Sequence, residues 1–215
     1  MNKSLLITAT WEHVKAALKN DSTGHDHWHI YRVWKMAEKI AVIEKADHTI
    51  VALAALLHDI GDWKLQADGV DRSAELATQW LRSQHCDETE VAAICDIINN
   101  ISFRGGKERA ALSLEGQIVQ DADRLDAIGA IGIARAFTYG GAKQRALYDP
   151  NDVPVIGQDV AQYKNNKTST INHFYEKLLL LKDRMNTEAA KQIAQQRHAY
   201  MENFLREFLK EWEGV

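Results

Sequence analysis

The stretch "AALLHDIGDWK", residues 54–64, decides how this chain is read. A run of aliphatic side chains ends abruptly in His58 and Asp59. Putting an imidazole and a carboxylate at the buried end of an apolar segment is costly unless a cation or a full set of hydrogen bonds compensates. A second pair, His25 and Asp26, lies in a polar turn and makes no such demand. Position separates the two pairs.

Working outward from this stretch, apolar residues recur at three- and four-residue spacing, which predicts an all-α protein. Residues 4–19 read as an amphipathic helix carrying Leu5, Leu6, Trp11, Val14 and Leu18, and a second helix from His27 to Ala46 carries Ile30, Val33, Trp34, Ala37, Ile40 and Ala41. The third runs from Thr49 to Gly61, with Gly61 as its C-cap. Helices over 72–84 and 87–101 follow, the latter opened by Asp87 and Glu90 at capping-box spacing. Residues 108–138 read as helix with a break near Gly116 and a small-residue face of Ala127, Ala130 and Ala134. Both prolines, Pro150 and Pro154, fall in residues 139–169, which show no clear period and read as a long loop able to close over a site. Residues 170–185 and 188–212 then form a long C-terminal helical hairpin, with Ile193, Arg197, Tyr200, Met201, Phe204, Leu205, Phe208 and Trp212 on one stripe.

The 215 residues, 46% hydrophobic and 26% charged, suit a single domain over 1–215. A formal net charge of −4 leaves no basic footprint for duplex nucleic acid. No run approaches the ~18 apolar residues of a membrane span, and the N-terminal apolar run is too short for a signal peptide. Cys86 and Cys95 lie in a turn-like and a helical context, so no disulfide is expected and a cytoplasmic setting fits.

Partners for His58 and Asp59 come from two other places. "HDHWHIYRV" sets His29 one turn before Arg32 at a helix start, and "IVQDADRLDAIGAIGIAR" sets Asp121, Asp123 and Asp126 in an otherwise apolar helix. Two imidazoles and two carboxylates make a mixed nitrogen and oxygen donor set that leaves positions on a six-coordinate metal for water and substrate. Such openness marks a catalytic site.

The order His29, then His58-Asp59, then Asp123 resembles the HD-domain superfamily of metal-dependent phosphohydrolases, whose pattern is H…HD…D on a helical core. "GHDHWHIYRV", "AALLHDIGDWK" and "DADRLDAIGAIGIARAF" together resemble a bacterial branch of small, single-domain HD proteins. The resemblance implies His29, His58, Asp59 and Asp123 as the metal ligands. The choice of Asp123 over Asp126 rests partly on the family's "AD" before an arginine. Mn²⁺ is the first choice of divalent ion, with Fe²⁺, Co²⁺, Ni²⁺ and Mg²⁺ behind it.

Asp62, three residues after Asp59, resembles the acidic residue with which many HD hydrolases orient or deprotonate the attacking water. Arg32, Lys64, Arg104 and Lys107 are candidates for neutralising phosphate oxygens, and Asp126 for contacting substrate. HD proteins with two or more metals generally supply further histidines between the HD pair and the final aspartate, and here only His85 lies in that interval, so the resemblance implies one metal rather than two. The expected function is hydrolysis of a phosphate ester or anhydride of a small substrate, a nucleotide first. The alternatives are a metal-stabilised nucleotide sensor that does not turn its ligand over and, weakened by the histidine count, an iron oxygenase. The apolar stripe of the terminal hairpin could serve a homodimer as well as a core.

Overall fold

A computed structural model describes residues 2–18, 26–62, 68–101, 111–156 and 168–215, and these residues are helical with no strand among them. They divide into two compact units, one ending at Ala122 and the other beginning at Asp123. The all-α expectation holds.

The first unit contains α1 (Lys3–Ala17), α2 (His27–Glu44), α3 (His48–Leu57), α4 (Ser73–Ser83), α5 (Glu88–Ile101) and most of α6 (Leu114–Asp126). Its centre is α3, which packs against α1, α2, α4 and α5. The sequence of α3 explains that place: every residue from Val51 to Leu57 is buried, so the helix is apolar all round and belongs inside. Each fully buried Leu or Val there contributes about 1.5–3 kcal/mol relative to exposure. Asp47 starts the helix, its Oδ1 accepting from the Thr49 and Ile50 amides at 2.8 and 3.1 Å. Trp80 of α4 donates from Nε1 to the buried Thr10 Oγ1 of α1 at 2.9 Å.

The second unit holds the end of α6, then α7 (Gly129–Ala142), α8 (Thr170–Glu176), a 3-10 helix (Leu178–Arg184) and α9 (Glu188–Glu213). In it α9 packs on α7 and the 3-10 helix, and α8 packs on both of those elements. Phe137, Phe174, Phe204 and Phe208 cluster at the contact, with Phe137 and Phe204 centroids 5.9 Å apart.

Several boundaries differ from the sequence reading. The third helix stops at Leu57 rather than Gly61, so His58 is its C-cap and Asp59 lies in the turn beyond. Gly61 is not a left-handed cap. A Cβ there would lie 2.8 Å from the backbone of both Arg72 and Ser73, so glycine is required by close approach to the start of α4. The break expected near Gly116 falls instead at Ala127–Ile128, and Gly116 sits inside α6. Ala130 and Ala134 are exposed, and the close contacts belong to glycines: a Cβ at Gly132 would meet the Ala127 carbonyl oxygen and one at Gly140 the Thr170 hydroxyl.

Helix α7 continues to Ala142, shortening the long loop at its start, while residues 157–167 of that loop lie outside the described residues. The first arm of the terminal hairpin breaks at Lys177 and resumes as a 3-10 helix. Leu178 and Leu181 are buried three residues apart, the period that a 3-10 turn brings onto one face. Tyr200, expected on the apolar stripe of α9, is exposed, as are Leu5 of α1 and, in part, Trp212. Both cysteines are free, and among the described residues no helix is long and apolar enough to cross a membrane.

Candidate metal centre

His29 stands in the first turn of α2. Asp26, the N-cap, accepts the His29 amide at 3.0 Å and so holds this turn in register, leaving the imidazole 1% exposed. His25 lies outside the described residues, but its neighbour Asp26 thus has a capping role.

His58 and Asp59 are placed by the abrupt end of α3. Two tight turns follow, closed by Ile60 N–H to the Leu57 carbonyl at 3.3 Å and Asp62 N–H to the Asp59 carbonyl at 3.1 Å. The chain is then fastened to the start of α4, where Arg72 N–H donates to the Gly61 carbonyl at 2.9 Å and Gly61 N–H to Ser73 Oγ at 3.2 Å. This clip ties the turn that carries Asp59 to the start of α4.

The ring of His58 is oriented from behind. Its Nδ1 lies 2.8 Å from the Ala55 carbonyl oxygen, which can only accept, so the proton is assigned to Nδ1 and the lone pair to Nε2. The Nε2 atoms of His29 and His58 are both buried. They lie 3.6 and 3.4 Å from the same Asp59 Oδ2, and the two rings are 5.5 Å apart at 67°. All three donor atoms fall within 4.8 Å of one another.

These residues fit a divalent metal. Imidazole and carboxylate donors held about 2.1 Å from one ion at right-angle to tetrahedral angles are roughly 3.0–3.4 Å from one another. The two histidine to Asp59 spacings, 3.6 and 3.4 Å, lie at or just beyond the upper end of this range, and a cation between the groups offsets the burial of Asp59, whose side chain is 13% exposed.

The other candidate residues are distributed as follows. Asp62 is 8% exposed, beyond the tight turn that Asp59 opens. Arg32 is half-buried on α2. Asp123 is half-buried on α6 and begins the second unit, while Asp121 and Asp126 of the same helix are buried. Asp126 Oδ2 accepts from Arg135 Nη1 at 2.6 Å. Lys64, Arg104 and Lys107 lie outside the described residues. His85 is exposed in a left-handed turn with φ 56°.

Comparison with known proteins decides the family. The HD domain family matches residues 28–128, a span that contains all three donors. YpgQ of Bacillus subtilis strain 168 is 41% identical over 208 residues, covering 96% of this chain and 92% of that protein. The chain belongs to the HD-domain superfamily. Its fold matches the crystal structure of an HD-superfamily hydrolase from Bacillus thuringiensis with a TM-score of 0.79 and 43% identity, each chain covered in full at 100%. It also matches B. subtilis YpgQ crystallised in complex with ADP, with a TM-score of 0.80 and 36% identity over 98% of this chain and 97% of that one. HD domains bind divalent metals, and the His29, His58 and Asp59 cluster of this HD protein can hold one.

The sequence reading missed the supports of the site. Asp26 was visible as an acidic residue immediately before a helix, a usual N-cap signal. The Ala55 carbonyl left no trace in residue types.

Proposed function

We propose that this HD protein is a cytoplasmic metal-dependent phosphohydrolase that cleaves a phosphate ester or anhydride of a nucleotide. The observation that carries the reading is the convergence of His29 Nε2 and His58 Nε2 on one Asp59 oxygen in an HD-superfamily hydrolase fold. The ADP complex of YpgQ supports a nucleotide as the ligand class.

His29, His58 and Asp59 hold the ion, which we propose to be Mn²⁺, and the H…HD…D order supports Asp123 as the fourth ligand. When bound, such an ion supplies Lewis acidity toward a phosphoryl oxygen and activates water at neutral pH. Asp62, buried and fixed one turn after Asp59, orients the attacking water and receives its proton. Arg32, Lys64, Arg104 and Lys107 neutralise the phosphate oxygens as charge develops on them.

The test is incubation of the purified protein with nucleoside mono-, di- and triphosphates and Mn²⁺, followed by identification of the products. Release of phosphate or pyrophosphate that disappears in His58→Ala supports hydrolysis. Tight binding of a nucleotide without any product returns the assignment to a nucleotide sensor.

A further inference from the structure

The end of α6 is held by an arrangement that the proposed chemistry does not use. Its last turn carries Asp123, Arg124, Leu125 and Asp126, and the helix then breaks. The terminal carbonyls of a helix lack partners within it and gather partial negative charge. Here two guanidinium groups from separate helices meet them. Arg197 of α9 donates from Nη1 to the Leu125 carbonyl oxygen. Arg135 of α7 donates from Nη1 to the Asp126 carbonyl at 3.3 Å and to Asp126 Oδ2 at 2.6 Å.

Gly129 makes the approach of Arg197 possible. It has φ +76°, and a Cβ on it would lie 2.9 Å from Arg197 Cγ, so the arginine stem lies across the turn in space that only glycine leaves open. Burial makes the Arg197 cation harder to keep and the nearby Asp126 carboxylate offsets this. Asp126 is itself 4% exposed. Partly buried charges of this kind are weak devices for stability, and their better attested use is to select one geometry.

We propose that Arg135 and Arg197, with Asp126 as their counter-ion, are positioning residues that fix the orientation of the α6 end and thereby the direction in which Asp123 presents its carboxylate. This rests on Asp123 being the fourth metal ligand. It assigns Asp126 to the support of the helix end rather than to substrate contact. One helical turn separates Asp126 from Asp123, so rotation or fraying of the last turn moves the Asp123 carboxylate directly.

The experiment is Mn²⁺ titration of the metal-stripped full-length protein, wild type and variants, with thermal unfolding of each metal-free form. Arg135→Met and Arg197→Met are expected to weaken Mn²⁺ binding by about 10- to 100-fold, the range seen when the outer support of a ligand is removed. Arg197→Lys, which keeps a donor for the Leu125 carbonyl, is expected to recover part of the loss. A role in stability alone would lower the melting temperature of the metal-free protein and leave the affinity of the folded form unchanged. Should Arg197→Met fail to fold, Arg135→Met and Asp126→Asn decide by the same titration. Wild-type affinity in the folded arginine variants, with affinity lost in Asp123→Ala and His58→Ala, overturns the positioning role alone. Wild-type affinity in Asp123→Ala overturns both this role and the fourth-ligand assignment, and wild-type affinity in His58→Ala overturns the metal centre itself.

Discussion

The His58 ring is held by the backbone of its own helix, with Nδ1 2.8 Å from the Ala55 carbonyl oxygen one turn earlier. A C-terminal carbonyl of α3 thereby gains a donor and the imidazole gains a fixed tautomer, so a single bond both finishes the helix and aims Nε2 at Asp59. The purified protein is accordingly expected to carry about one transition metal per chain. His58→Ala and Asp59→Ala should each lower metal content, read by elemental analysis, together with hydrolytic activity. Unchanged metal in both variants would place the site elsewhere.

Asp62 offers a separation between holding the ion and acting on water. Asp62→Asn keeps the side-chain volume, and metal content should stay at the wild-type level while kcat falls about 10²–10⁴-fold with little change in KM. Near-normal turnover in this variant would leave Asp62 without a chemical role.

Gly61 is a test of the clip behind the HD pair. A methyl group at this position meets the backbone of Arg72 and Ser73 at 2.8 Å, and backbone atoms cannot swing aside as a side-chain tip would. Gly61→Ala is predicted to destabilise the protein by about 1–3 kcal/mol, as overpacking generally does. Chemical denaturation measures this directly, and wild-type stability would show that the turn relaxes freely.

His173 predicts a dependence of stability on pH. Burial, reinforced by the positive charges of Lys177 and Arg145, lowers its pKa to about 3 in the folded chain. The unfolded chain binds the proton at its ordinary value of about 6.5, so between these two values the unfolded state carries more protons and stability rises with pH. The contribution is complete above about pH 6.5 and is lost as pH falls, amounting to about 2 kcal/mol between pH 7 and pH 5. Urea titrations at the two pH values should show this loss, and His173→Gln should remove it. An identical dependence in the variant would assign the effect to other groups.

The helical architecture and the His29, His58 and Asp59 cluster were legible in the sequence for different reasons. Helices such as α2 announce themselves because Ile30, Val33, Ala37 and Ile40 are all buried on one face, and periodicity carries that information directly. His58 and Asp59 stood out because buried polar groups demand an explanation. Helix ends were read less well, since they are decided by tertiary contacts. Gly61 looks like any C-cap glycine until Arg72 and Ser73 of a later helix close upon it. The carbonyls at the end of α6 likewise accept from Arg135 and Arg197, the latter 72 residues from the carbonyl it meets. No local pattern encodes such a partner.

Asp26, His29, His58 and Asp59 all belong to the paired helices α2 and α3 and the turn that follows them, and this has a consequence for the order of assembly. Between His29 and Asp59 the chain closes a loop of about thirty residues, most of them already committed to two helices, so the entropy of bringing the donors together is small. Contacts of such short sequence separation form fast. During synthesis from the N-terminus, the segment bearing these donors leaves the ribosome while α7, α8 and α9 have yet to be made. The three side chains of this cluster therefore emerge, on helices that pair with each other, before the second unit of the chain is synthesised.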